Sequence, residues 1–287
     1  MVRKIVSLGG WRKLPAWLTT DSDHATETLR QAAIARLQAT PMAHADWQTE
    51  LTARLLTQLS VGKSLPIQPY LSTAIADLIA LEAEAFHVPS HLSGSLLAEV
   101  AQRTHLRRLI AFTDHAQPLI AAWVTALADI LTPIAAASPA TPTSNPSTLS
   151  IGVPLIAFLK DANATLSRII ARVLPFADDR DGPSRPGARL AARLIDNLLV
   201  ASGLARDQAE RRPQRLKWPT QSPLAGAELV ATYLGGTPLQ NLLLAPIPLP
   251  ISDAIGFEHA LTVAPSGGGK TQTHAIHRHQ SPQPPAQ

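Results

Sequence analysis

Residues 119–137 read LIAAWVTALADILTPIAAA, and this alanine- and leucine-rich stretch indicates the fold class. Alanine and leucine are strong helix formers. The whole chain of 287 residues contains 46 alanines and 41 leucines, whereas aromatic residues make up only 4% of it. A strand-rich protein would use more valine, isoleucine, tyrosine, phenylalanine and threonine. The composition therefore predicts a mainly α-helical protein and excludes an all-β architecture.

The same stretch is long enough to cross a lipid bilayer. Asp129 lies near its middle, where an inserted carboxylate costs about 2.5 to 3.5 kcal/mol, and alanine and threonine offset little of that. We therefore expect a buried or amphipathic helix of a soluble domain. Membrane association through residues 119–137 is the alternative, and it predicts that the purified chain needs detergent.

The beginning of the chain and its charge limit the class of protein. Residues 1–17 read MVRKIVSLGGWRKLPAW, in which glycine, basic residues and proline interrupt any apolar run of signal-peptide length. We therefore expect a cytoplasmic protein. The absence of cysteine excludes a disulfide scaffold, a cysteine-ligated zinc site, an iron–sulfur cluster and a thiol nucleophile. The formal net charge of +4 argues only weakly for an acidic partner.

Apolar residues at three- and four-residue spacing recur from about residue 21 to residue 235, which is typical of amphipathic helices. Asp21 or Ser22 is the candidate cap of the first helix. Pro133 is expected to kink the fifth helix or end it early. The predicted helices span residues 21–37, 47–59, 69–86, 93–112, 117–137, 154–174, 188–204 and 224–234.

Breaks rich in proline and glycine separate these helices, at residues 138–149, 177–187 and 211–223. They divide the chain into four parts. The first is a helical region at 1–175, with the Pro/Ser/Thr-rich loop at 138–149 inside it. Further helices and a basic, proline-rich linker follow at 176–235. The predicted nucleotide-binding segment is 236–273, and the tail at 274–287 is expected to be disordered.

Residues 237–258 (TPLQNLLLAPIPLPISDAIGFE) are predicted to be largely extended, because a helix cannot hold the closely spaced prolines of PIPLP. The apolar run ALTVA at 260–264 is predicted to be a buried strand. It leads into APSGGGKT at 264–271, which fits the pattern of a phosphate-binding loop with Ala264 in place of the first glycine.

The chemistry of phosphate binding accounts for this spacing. Small residues allow successive backbone N–H groups to converge on phosphate oxygens, and a following helix adds its positive N-terminal end. Lys270 is the candidate contact for the β and γ phosphates, and the Thr271 hydroxyl is the candidate ligand of Mg²⁺. The alternative is a flexible glycine-rich loop with a chance Lys-Thr pair. With ATP and Mg²⁺ as cofactors, the predicted nucleotide-binding residues are Ser266, Gly267, Gly268, Gly269, Lys270, Thr271 and Gln272.

Phe257-Glu258-His259, the short apolar strand and APSGGGKTQT together resemble the nucleotide-binding entry of the translocase-type P-loop ATPases. That group includes conjugative type IV coupling proteins and chromosome-partitioning DNA pumps. The resemblance covers residues 237–273 and does not extend to the helices before residue 235. It implies an ATP-dependent motor whose partner is DNA or a conjugation or secretion complex, and a homo-oligomeric ring for the full-length protein.

The residues after Thr271 differ from what such an ATPase requires. They read QTHAIHRHQSPQPPAQ and contain no aspartate or glutamate, whereas a P-loop ATPase takes an acidic Mg²⁺ ligand from a later strand. We therefore expect a truncated P-loop ATPase, with a mainly α fold followed by the start of an incomplete α/β P-loop domain. Such a chain has no catalytic residue for ATP hydrolysis, and its loop, not preorganised by a sheet, binds nucleotide weakly. The alternative is a helical interaction or scaffold protein with a vestigial loop.

Four further groups of polar residues are not interpreted as functional sites. The basic runs at 103–108 and 206–218 have the composition of solvated surface, although phosphate contact with stacking on Trp218 is the alternative for the second run. The aspartates at 178, 179 and 181 are interpreted as loop residues rather than metal ligands. His274, His277 and His279 are expected in an unstructured tail rather than a zinc site.

Overall fold

A computed structural model describes residues 16–63, 65, 67–90, 96–139, 150–177 and 182–250 of the chain. Within these ranges the backbone forms ten α-helices and two short strands. Described residues at 16–139 and 154–246 form one unit, which holds all ten of these helices, whereas 150–153 and 247–250 belong to a second unit. The prediction of a mainly α-helical protein is confirmed for the described residues.

The first half of the helical unit follows the apolar periodicity closely. The helix predicted at 21–37 begins earlier, at Ala16, so Asp21 and Ser22 lie inside it rather than at its cap. The fifth helix runs through Pro133 and ends at Ala137, so the expectation that Pro133 ends it early is wrong. The five helices are α1 (Ala16–Leu37), α2 (Trp47–Ser60), α3 (Pro69–Ala83), α4 (Leu96–Thr113) and α5 (Ala116–Ala137).

The second half contains shorter elements. Strand β1 (Ser150–Pro154) pairs with β2 (Pro246–Pro250) in a two-stranded sheet. Short 3-10 turns connect several of the helices, including one at Glu84–Phe86 after α3 and one at Leu174–Phe176. The five helices are α6 (Ala162–Val173), α7 (Ala188–Ser202), α8 (Arg206–Arg211), α9 (Gly226–Leu234) and α10 (Pro238–Leu244).

The helix predicted at 154–174 is wrong over its first third. Pro154 ends β1, and a 3-10 turn at Leu155–Phe158 follows it. Helix α6 begins only at Ala162, because the Asp161 carboxylate accepts a hydrogen bond from the Ala164 backbone N–H at 2.8 Å and caps the first turn. The apolar residues before Asp161 therefore belong to a turn that the periodicity did not separate from the helix.

The extended segment predicted at 237–258 is partly wrong and partly confirmed. Residues 238–244 form α10, because its single proline stands in the first turn, where the missing N–H is not needed. The PIPLP residues form β2 and are extended as predicted. Residues 251–258 lie outside the described ranges. Helix α8 was not predicted, since six residues are too few to show a period.

Helix α5 lies in the core of the helical unit and contacts α2 and α6. Eleven of its residues are buried, among them Trp123, Leu127 and Leu131. Among the described helices it is the one long and apolar enough to cross a membrane, with a mean hydropathy of 1.8, yet 56% of that window is buried inside the protein. This burial agrees with the expectation of a buried helix.

Other helix pairs enclose the same core. Helix α1 packs along α4, and α3 contacts α2, α7 and α10. A fully buried Thr26 on α1 meets α4 through polar contacts, donating to the Glu99 carboxylate at 3.2 Å and accepting from Arg103 Nε at 2.6 Å. The arrangement brings α3 and α7 together although they are distant in sequence.

Candidate functional site

The predicted nucleotide-binding residues, Ser266 to Gln272, lie outside the described residues. The same holds for the strand predicted at 260–264, for Phe257-Glu258-His259, and for the histidines of the tail. Asp178, Asp179 and Asp181 also fall outside the described ranges. Among the described residues, the candidate site therefore lies in the helical unit alone.

A groove of about 580 Å³ runs along one face of α7, within the range of 300 to 1,000 Å³ typical of small-molecule pockets. Ala188, Ala192, Ile195 and Leu199 form the stripe of α7 that lines it, at the four- and three-residue spacing of one helical face. We call this pocket the α7 groove. The alanines at its N-terminal half have short side chains and leave the space that the groove occupies.

One end of the α7 groove is apolar. Ile195, Leu198 and Leu199 from α7 meet Ala209 of α8 and Leu216 of the following turn. Four of them, Ile195, Leu199, Ala209 and Leu216, also form a small hydrophobic cluster with Leu204, in which Leu199, Leu204 and Ala209 are buried. Arg206 and Glu210 of α8 stand beside this end, and Arg206 lies 3.5 Å from the Asp196 carboxylate. A ligand that reached this end would contact hydrocarbon surface. The ion pair of Arg206 and Asp196 would lie at the edge of that surface.

The other end of the α7 groove is polar. Arg108 and Arg189 line it together with Glu84, His105 and Ser184. Arg189 forms an ion pair with Glu84. Arg108 Nε donates to the backbone oxygen of Gly182 at 3.1 Å, and the His105 ring contacts the backbone oxygen of His87 at 2.9 Å. These contacts hold both side chains in place at the rim.

Below this end, the Glu82 side chain joins α3 to the first turn of α7. Its carboxylate accepts hydrogen bonds from the backbone N–H groups of Leu190 at 2.8 Å and of Arg189 at 3.2 Å. Burial raises the pKa of Glu82 above its usual value, and the backbone hydrogen bonds and the Arg189 charge oppose that rise only in part. The carboxyl group supplies the cap that Gly187, which has no side chain, cannot supply.

Gly187 is required at this position by its surroundings. Its φ is +95°, which favours glycine, and a Cβ there would lie 2.5 Å from the Trp123 ring. Trp123 in turn packs edge-on against Phe176 at 5.1 Å between ring centroids. The start of α7, and with it the polar end of the groove, is therefore held against the core by close contact.

The residues of the two basic runs, at 103–108 and 206–218, lie in different surroundings. Arg103 forms an ion pair with Glu99 at 3.0 Å, whereas His105 and Arg108 face the groove. Of the second run, Arg206 lines the groove, and Arg211, Arg212 and Arg215 are exposed.

The sequence pattern that corresponds to the groove is the pair of alanines at four-residue spacing followed by Ile195 and Leu199. A helix that packs closely on a neighbour shows the same pattern, so this spacing alone does not predict a groove.

Within the described ranges, no group of three or more histidine, aspartate or glutamate side chains could hold a metal ion. Comparison of the chain with family models, with curated proteins and with solved structures finds no match.

Proposed function

We propose that the chain is a nucleotide-binding part of a P-loop motor protein and binds Mg-ATP through Ser266 to Gln272. The observation that carries this proposal is the loop APSGGGKT placed directly after the apolar run ALTVA. In this proposal Lys270 contacts the β and γ phosphates, the glycines provide backbone N–H donors, and Thr271 ligates Mg²⁺. The extended Pro246–Pro250 segment supports the proposal, since it agrees with the lead-in expected before the loop.

Nucleotide binding is the activity proposed for the loop. In P-loop ATPases the carboxylate that completes a Mg²⁺ site and the residue that orients the attacking water come from later strands. Mg²⁺ bound with the nucleotide would neutralise phosphate charge, while the loop would only hold the phosphates. DNA or a conjugation or secretion complex is the partner that the resemblance favours, and the proposed location is the cytoplasm.

Hydrogen exchange of the full chain tests nucleotide binding directly. We expect Mg-ATP to slow backbone exchange across residues 260–273, and Lys270→Ala to abolish that protection. Lys160→Ala is the matched control, because Lys160 is an exposed lysine of the helical unit, and it should leave the protection unchanged. Protection that persists in Lys270→Ala would contradict the assignment of the loop.

The second candidate function is a helical interaction or scaffold protein in which the loop is vestigial. It is favoured by the helical unit, which holds all ten helices of the described residues. The same exchange experiment separates the two functions. If millimolar Mg-ATP changes no exchange rate in residues 260–273, the scaffold function is supported and the motor function is rejected.

A further inference from the structure

We propose that residues 211–218 bind single-stranded nucleic acid, and we call this segment the basic strip. Its basic side chains would contact phosphate groups, and the Trp218 indole would stack on a base. The strip lies outside residues 237–273, the part of the chain that resembles P-loop ATPases. The inference goes beyond nucleotide binding, and its success or failure leaves the proposal for Ser266 to Gln272 unaffected.

The basic strip carries positive charge that no acidic residue within it offsets. It reads RRPQRLKW, with four basic residues and no acidic one. Arg211, Arg212, Arg215 and Lys217 are exposed, and none of them forms an ion pair with another residue that the structure describes. A polyanion can therefore contact these cations without first displacing a carboxylate. Six other arginines do form ion pairs, namely Arg30, Arg36, Arg103, Arg172, Arg189 and Arg206.

Acidic residues close to the strip along the chain do not cancel its charge. Asp207 and Glu210 lie on α8, and Asp196 of α7 lies 3.5 Å from Arg206. Between residues 205 and 221 the chain holds five basic residues against the two acidic ones of α8. The charge balance of this segment is therefore positive, which attracts a polyanion most strongly at low ionic strength.

Side chains from three helices hold the backbone at the end of the strip. The Lys217 N–H donates to Ser202 Oγ of α7 at 2.8 Å, and the Tyr233 hydroxyl of α9 donates to the Lys217 oxygen at 3.1 Å. Asn163 of α6 donates to the oxygen of Pro219, just after the strip, at 2.7 Å. A backbone that is already fixed loses little entropy on binding, which favours affinity.

Trp218 distinguishes a single strand from other polyanions. It follows Lys217 directly and is half-buried, and its ring takes part in neither of the aromatic contacts between described residues. The bases of a single strand are free to stack on an aromatic ring. Bases of a duplex are already stacked on one another, and an acidic polypeptide has none. Cations beside an indole therefore favour a single strand as the partner.

Fluorescence anisotropy of a labelled strand of twenty thymidines, titrated with the full chain in the absence of nucleotide, tests the proposal. We expect saturable binding that weakens with salt. The slope of log K against log salt concentration should lie between about −2.1 and −2.8, for three or four phosphate contacts. The same strand annealed to its complement should bind at least about threefold more weakly, and poly-glutamate should compete at least about tenfold more weakly than unlabelled strand.

A pair of double variants tests the phosphate contacts. Arg212→Gln with Lys217→Gln removes two exposed charges of the strip. It should weaken binding by about tenfold and make the salt slope less negative by about 1.4. The matched control is Arg54→Gln with Lys63→Gln, which removes an exposed arginine of α2 and an exposed lysine just after it. It should leave the affinity within about twofold of the wild type and the slope unchanged.

Replacement of Trp218 tests stacking separately. Trp218→Ala should weaken binding of the single strand by about tenfold without changing the salt slope, since the indole carries no charge. Trp218→Phe keeps a ring and should lose less, and circular dichroism shows that both variants are folded. Absence of saturable binding, equal affinity for the duplex or for poly-glutamate, or equal effects of the two double variants would each overturn the proposal.

Discussion

The Glu82 carboxylate accepts a hydrogen bond from the backbone N–H of Leu190 at 2.8 Å, although 108 residues of sequence separate the two. Both residues are buried. The contact joins the last turn of α3 to the first turn of α7 and holds the polar end of the α7 groove. A carboxyl group in the core thus serves as the cap of a distant helix.

Replacement of Glu82 by alanine should lower the free energy of unfolding by about 2 kcal/mol, because it leaves two backbone N–H groups of α7 without their acceptor. Urea denaturation followed by circular dichroism measures the change. Glu84→Ala is the control, since Glu84 lies two residues away with a side chain that is 74% exposed, and it should cost less than about 1 kcal/mol. Equal losses for the two variants would contradict the capping role of Glu82.

The raised pKa of Glu82 predicts a pH dependence of stability. The folded state binds the Glu82 proton more tightly than the unfolded state does, so this group favours folding most below its usual pKa of 4.5. That contribution is lost as the pH rises through the raised pKa. The unfolding free energy of the wild type, relative to Glu82→Gln, should therefore be larger at pH 4 than at pH 8. A relative stability that increases with pH would show that the pKa is lowered instead.

Gly187→Ala should destabilise the fold by about 3 kcal/mol, since it adds a clash with Trp123 to the strain of a positive φ. Gly203→Ala separates these two effects. Gly203 also has a positive φ, of +63°, but a Cβ there meets no atom within 4 Å, so we expect a loss of only about 1 kcal/mol. Thermal unfolding of the two variants side by side gives the comparison, and similar losses would mean that Trp123 moves aside.

Asn197 should be sensitive to a change that conserves its shape. Its side-chain Nδ2 donates to the backbone oxygens of Gly235 at 3.0 Å and Tyr233 at 3.3 Å, at the end of α9. Asn197→Asp removes the donor and turns a carboxylate toward two carbonyl oxygens, which should cost about 2 kcal/mol. Asn241→Asp, at an exposed position of α10, should change stability by less than about 0.5 kcal/mol. Chemical denaturation at neutral pH measures both.

Thr271→Ala should remove the benefit of Mg²⁺ for nucleotide binding if the hydroxyl ligates the metal. The affinity of the wild type for ATP should fall by about tenfold when EDTA removes Mg²⁺, whereas the affinity of the variant should change little. Thr273→Ala, two residues later, is the matched control and should keep the dependence on Mg²⁺. A variant at Thr271 that still needs Mg²⁺ for binding would exclude the hydroxyl as the ligand.

Periodicity predicted the long helices well, because the signal is repeated over several turns. Helices α2, α5 and α7 agree with the predicted ranges within two residues at each end. Short elements carried too few residues for that signal. Helix α8 was missed, and α10 was assigned as extended because of the prolines that follow it. Strand β1 was not predicted, and the 3-10 turn at Leu155–Phe158 was assigned to the helix after it.

Sequence alone could predict one candidate site but not the other. The proposed phosphate-binding loop is a contiguous pattern, so sequence alone could propose its residues and their chemistry. The α7 groove collects residues from α4, α7, α8 and the turns at 84–86 and 174–176, which no local pattern groups together. Arg108 and Glu84 appear in the sequence as ordinary charged residues, and only packing places them at one end of a cavity.

What the sequence determined by itself was the helical class, the extent of the long helices and the proposed nucleotide chemistry, because each depends on residues that are neighbours in the chain. Only the tertiary structure decided that Glu82 caps α7, that Trp123 packs closely against Gly187, and that Arg108 and Arg189 lie at the polar end of the α7 groove. Those relationships join residues distant in sequence. They form only when the helices pack, because a polar group that becomes buried needs a hydrogen-bond partner.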